Sequence, residues 1–105
     1  MYTGITDMRM GFDSLSGLVR NKLGRDPLSG DVFVFINRQR NCVKLLRWEP
    51  GGFILYYKRL EMGTLELPEY EPGNMDYKIS WSEMMMIIEG ISIKNIDRKK
   101  RFINT

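Results

Sequence analysis

The sequence predicts an α+β domain in which an antiparallel meander of three to five short strands packs with two helices. Three observations predict it. Asp31 to Leu60 holds three runs rich in β-branched and aromatic residues, Val32–Ile36, Cys42–Trp48 and Phe53–Tyr57, and such residues suit a pleated surface. The breaks between the runs, Asn37–Asn41 and Glu49–Gly52, are short and built from turn formers, which favours antiparallel neighbours. Before the meander Met8–Leu23 carries a helical stripe of apolar residues, and after it a capping box at Ser80–Glu83 opens a second helical run.

With 105 residues, 43% hydrophobic and 28% charged, the chain has the composition of a globular protein with a single core. That core is assigned to residues 1–93, with a basic tail at 94–105. No run approaches the ~18 apolar residues that a membrane helix requires. The start, MYTGITDMRMG, lacks the basic-then-apolar layout of a secretory signal. A single cysteine, Cys42, makes no internal disulfide and suits a reducing compartment. A cytoplasmic protein with no membrane partner is the expectation.

The first helix is expected over about 7–23. Met8, Phe12, Leu15, Val19 and Leu23 form one helical stripe, Thr6 or Asp7 can cap the start, and Gly24 can end it in the left-handed conformation. Gly11 and Gly17 each cost about 1 kcal/mol relative to Ala inside a helix. Asp13 as N-cap, with residues 8–12 as an irregular lead-in, is the alternative start. The loop Arg25–Gly30 follows, because Pro27 cannot continue a helix.

The first strand, 32–36, is apolar in both alternating sets, which predicts a central strand covered on both faces. The second and third, 42–48 and 53–58, close on Pro50-Gly51. That turn sets Trp48 opposite Phe53, Leu46 opposite Leu55, Lys44 opposite Tyr57 and Val43 opposite Lys58. Residues 64–67 alternate and are stopped by Pro68, as an edge strand would be. An acidic Pro/Gly loop spans Glu69–Asp76, and a brief strand at 77–79 completes the upper count of five. Ser80 and Glu83 have the spacing of a capping box. It opens a second helix at 81–89, with Gly90 in the C′ position. Met84–Ile88 is apolar nearly all round. This run reads as core in preference to an adaptable partner groove.

Charge is unevenly distributed. Residues 1–60 carry ten Lys/Arg against five Asp/Glu, residues 61–93 one against seven, and residues 94–105 five against one. The hairpin register brings Lys58 and Arg59 beside the loop that carries Arg38 and Arg40, with Tyr56 and Tyr57 adjacent. Four cations at one end of a rigid sheet can grip phosphate oxygens. The competing explanation is that strand ends are wet and carry charge for that reason alone. Arg98, Lys99, Lys100 and Arg101, beside Phe102, can lie on a phosphate backbone or form a solvated tail.

Nothing in the chain suggests catalysis. It contains no His, and so lacks the usual general base and the commonest nitrogen metal ligand. One Cys without His makes neither a zinc site nor a nucleophile pair. The phosphate-cradling glycine motifs do not occur. Asp7, Asp13, Asp26 and Asp31 are explained by capping and turn roles. A non-enzymatic protein without metal or cofactor is expected.

Five segments occur in order: GITDMRMGFDSL (4–15), DPLSGDVFVF (26–35), RQRNCVKLLRW (38–48), GGFILYYKRLEMG (51–63) and IIEGI (87–91). Together they resemble the small accessory protein, often called Orf2 or TnpB, of bacterial insertion sequence 66 type transposable elements. The resemblance spans Gly4 to about Ile91. It implies a part in transposition beside a separate, larger transposase that carries the catalytic acidic residues. That transposase is the implied partner, DNA at the element ends is expected from the charge convergence together with the family role, and a homo-oligomer is compatible. The motif residues Asp7, Arg9 and Asp13 read either as contacts or, preferably, as groups holding the start of the helix against the sheet. Two departures stand out. Fewer residues precede the GITDMR motif than is common in the family, so an N-terminal strand is expected to be shortened to Met1–Thr3, and Met10 stands where a lysine is common. The leading expectation is a DNA-binding accessory protein using Arg38, Arg40, Lys58 and Arg59 with the 98–101 tail. The alternative is an assembly factor that meets the transposase through the Met84–Ile88 helix or a sheet edge.

Overall fold

A computed structural model describes residues 1–89. Helix α1 (Phe12–Lys22) is followed by strands β1 (Phe33–Ile36), β2 (Cys42–Glu49) and β3 (Gly52–Arg59), then helix α2 (Trp81–Glu89). The three strands form one antiparallel sheet in the order β1-β2-β3.

Alternation along the strands sorts the core into two halves. Phe33 and Phe35 join Leu46 and Tyr2 under Leu15 and Val19 of α1. Val34, Ile36 and Val43 face the opposite way, where Leu65 and the α2 residues Met84 and Ile87 cover them. The sheet is therefore sandwiched, with one helix to each face. The Met84–Ile88 run is core: Met84 and Ile87 are buried and the other three half-buried.

The β2–β3 hairpin has the expected register, with Trp48↔Phe53, Leu46↔Leu55, Lys44↔Tyr57 and Val43↔Lys58. Pro50 and Gly51 make the turn, and Gly51 has φ 99°, which a side chain would resist at the third position of a type II turn. At α2, the Glu83 amide donates to Ser80 Oγ at 3.1 Å and the Ser80 amide to Glu83 Oε1 at 3.2 Å. This is the reciprocal capping box.

All of β1 is buried, although β2 is the middle strand. The outer edge of β1 is covered by the first six residues. The Tyr2 amide donates to Val34 O and the Thr6 amide to Ile36 O, both at 3.0 Å. That segment is itself bordered by residues 75–77, through Thr3 N to Met75 O at 3.0 Å and Tyr77 N to Met1 O at 2.9 Å. A Cβ at Gly4 would come within 2.3 Å of the Tyr2 ring, so the chain there has room only for hydrogen.

Several boundaries differ from expectation. Helix α1 begins at Phe12, with Gly11 as an extended N-cap that makes no side-chain cap. Residues 7–10 instead form a turn, with Met10 N on Asp7 O at 3.1 Å and Arg9 N on Asp7 Oδ1 at 2.9 Å. The Asp7 carboxylate competes for amides that a helix would use, which removes Met8 from the stripe and leaves Asp13 inside the first turn. Residues 64–67 are not a strand. One bond, Leu65 N to Arg40 O at 2.6 Å, ties them to the β1–β2 loop, and their alternation reflects two leucines anchoring a loop into the α2-side core. Residues 77–79 form no strand either; Tyr2↔Asp76 is an isolated bridge. Gly90 as terminator, the boundary at 93 and the basic tail lie outside the described residues. Among the described residues no helix is long and apolar enough to cross a membrane.

Two glycines give opposite expectations. Gly4→Ala must displace the Tyr2 ring and should lower stability by about 1–3 kcal/mol. Gly17→Ala, inside α1 with nothing within 4 Å of the new methyl, should raise it by about 0.5–1 kcal/mol. Equilibrium urea unfolding of the two variants checks both.

Candidate nucleic-acid interface

The β1–β2 connection is organised by one side chain. Asn37 Oδ1 accepts from the amides of Asn41 at 3.0 Å and Cys42 at 2.9 Å, and its Nδ2 donates to Asn41 Oδ1 at 2.7 Å. The Arg40 amide returns to Asn37 O at 3.1 Å. Arg40 has φ 56° and is the sole non-glycine with positive φ among the described residues. That turn carries Arg38 and Arg40 outward, both exposed. Ion pairs among the described residues join Arg9 to Asp7, Arg25 to Asp31 and Asp76, and Arg47 to Glu49. None involves Arg38, Arg40 or Arg59.

Arg38 and Arg40 line a cleft of about 300 Å³ together with Thr3, Asn37, the rings of Tyr2 and Tyr70 and the apolar Ile36 and Leu67, and among the described residues no carboxylate lines it. Arg40 also borders a second cleft of about 490 Å³ formed by residues 64–70, where Glu66 and Glu69 contribute. The structure thus brings these two arginines to one recess of mixed polar and apolar lining.

It does not bring the other two there. Val43↔Lys58 and Cys42↔Arg59 are successive pairs, so the two side chains leave opposite faces of the sheet. Lys58 Nζ donates to Ile88 O in the last turn of α2, where a cation satisfies a free carbonyl and the helix dipole. Arg59 emerges on the α1 face beside Tyr57. Arg98, Lys99, Lys100 and Arg101 fall outside the described residues.

Asp7 and Arg9 form a forked pair, with Arg9 Nη2 to Asp7 Oδ2 at 2.7 Å and Nε to Oδ1 at 3.1 Å. Their side chains are 48% and 91% exposed, so the pair shapes its own turn without gripping the sheet. The hydrogen bonds from Arg9 hold the Asp7 carboxyl down at about 2. Asp13 is exposed in the first turn of α1, on the side where the helix dipole favours an anion.

The group that does tie the start of α1 to the sheet is Lys44. It is only 5% exposed, and its Nζ donates to Met8 O at 2.5 Å and Met10 O at 2.8 Å. The Tyr57 ring lies 4.7 Å away, close enough for a cation–π contact. Tyr57 also offers its hydroxyl to Cys42 Sγ at 3.7 Å, and this bond, ahead of burial, raises its pKa above the usual 10. Sequence reading passed over Lys44 as a role-bearing residue, although its signal was present: a lysine among Cys42, Leu46 and Trp48 on one strand face. Among the described residues no three His, Cys, Asp or Glu side chains are placed to hold a metal ion.

Comparison with known proteins adds a family. The family model described as IS66 Orf2 like protein matches residues 1–98. The Sinorhizobium fredii (strain NBRC 101917 / NGR234) protein named Uncharacterized protein y4hO is 39% identical over 90 residues, 85% of this chain and 76% of the relative. From the same organism, Uncharacterized protein y4jC is 31% identical over 93 residues, covering 89% and 78% respectively. No solved structure matches the chain.

Two measurements test the turn before α1. A carboxyl NMR titration should place Asp7 near 2, returning toward 3.8 in Arg9→Ala. Because the folded value is depressed, the contribution of the pair to stability is complete above the ordinary value and is lost as pH falls through about 2. Lys44→Met should lower unfolding free energy by about 1–3 kcal/mol in urea, since two carbonyls lose their donor.

Proposed function

The chain belongs to the IS66 Orf2-like family, and on that premise we propose that it is a non-enzymatic accessory protein of transposition that binds DNA through the Arg38–Arg40 loop. Membership points to an accessory role in the movement of an insertion sequence, in a family that is not a known enzyme family. The observation carrying the finer reading is the recess itself: two exposed guanidinium groups without carboxylate partners among the described residues, on a loop held by Asn37. Arginine forks suit phosphate oxygens, and a loop fixed in advance loses less entropy on contact. Arg59, on the other face, and the run 98–101 extend the contact. Lys58 is left out, because its ammonium is engaged with α2.

A second reading, an assembly factor for the transposase, draws on exposed apolar side chains. Trp81 is 70% and Met62 88% exposed. Pull-down of the element's transposase without DNA, lost in Trp81→Glu, would support it.

A gel-shift titration with element-end DNA separates the two. Binding should weaken steeply with salt, and the Arg38→Ala/Arg40→Ala variant should bind more weakly with a salt slope lower by about 2, one for each lost phosphate contact. Unchanged affinity and slope would overturn the DNA surface and leave the family role standing.

A further inference from the structure

The two edges of the sheet are treated differently. The β1 edge is covered by residues 1–6, whereas β3 pairs with β2 alone among the described residues. Open edges are normally blunted by proline, bulges or a lysine. β3 contains no proline, its eight residues pair with β2 without a bulge, and its one lysine is drawn to α2. Its apolar side chains stand out on both faces: Ile54 is 50%, Tyr56 40% and Tyr57 51% exposed.

We infer that this edge pairs with the same edge of a second copy, antiparallel about a two-fold axis at Tyr56. The hairpin geometry selects the occupant and the register. Glu49↔Gly52 closes the hairpin, so alternation turns the amides of Ile54, Tyr56 and Lys58 toward β2. Those of Phe53, Leu55, Tyr57 and Arg59 face outward. A two-fold axis perpendicular to the sheet sets like faces together and allows only registers centred on a residue. Centring on Tyr56 pairs Leu55 with Tyr57 and Phe53 with Arg59, so every outward-facing residue is used. Centring on Leu55 or Tyr57 strands one of them. The charges agree. In this register Lys58 lies opposite Ile54 and Arg59 opposite Phe53, an aromatic face that suits a guanidinium, so no like charges meet.

The 105-residue chain tests this without DNA, so the result is independent of the DNA-binding reading. Sedimentation equilibrium should show a concentration-dependent dimer. Tyr56→Cys should oxidise to a reducible cross-linked dimer, because the two positions form a directly opposed, non-hydrogen-bonded pair. The wild type, whose Cys42 is buried, should not. Ile54→Lys sets a second cation opposite Lys58 at each end and should weaken association about tenfold, while circular dichroism confirms the fold at this exposed position. A monomer throughout, which would mean some other occupant, overturns the proposal. A dimer in which Tyr56→Cys fails to cross-link overturns it equally.

Discussion

A strand with no polar side chain must be covered on both faces, and β1 (Phe33–Ile36) imposes that demand on the rest of the chain. It sets the architecture. One face takes the α1 residues Leu15 and Val19. The other takes α2, together with the leucines of the intervening loop. Burying a large aliphatic or aromatic side chain contributes roughly 1.5–3 kcal/mol, so four adjacent buried positions outweigh any single surface contact. The remaining exposed feature of β1, its outer row of backbone groups, is met by residues 1–6.

Within that sandwich the connection before α1 needs its own anchor, and the anchor is a charge. Burying an ammonium is unfavourable unless its hydrogens find acceptors. Lys44 satisfies two of them on carbonyls of the turn at residues 8–10, and rests against an aromatic ring. The same contact fixes both sides. Met8 and Met10 gain donors for carbonyls that a helix starting only at Phe12 cannot supply. The Asp7–Arg9 fork then sits on the outside of a turn already held from within.

What was legible in the sequence was what short-range chemistry decides. The β2–β3 register followed from Pro50-Gly51 and two-residue periodicity, and the α2 start from Ser80 and Glu83. Less legible were outcomes settled by competition or distance. Asp7 had two uses, as helix cap or as turn acceptor, and periodicity alone could not choose between them. Leu65 and Leu67 alternate equally well as strand or as buried loop anchors. The contact between residues 1–6 and β1 joins segments far apart in sequence, and no local pattern encodes it. At the candidate site, the register set Lys58 and Arg59 at the end of β3 near the Arg38–Arg40 loop, but on successive residues that leave opposite faces of the sheet. It gave no warning that Lys58 would find a helix carbonyl, because that depends on where α2 docks.

The backbone of Arg40 has a consequence of its own. A left-handed conformation costs a side-chain-bearing residue about 1 kcal/mol or more that glycine would not incur, and Arg40 adopts it at φ 56°. Asn37 is the counterweight, since its amide pins the neighbouring residues whichever side chain occupies the bend. The fold could have settled this corner more cheaply with hydrogen in place of a guanidinium. Instead the bend turns an exposed guanidinium outward, and the strain of doing so is carried by the hydrogen bonds that Asn37 makes around it.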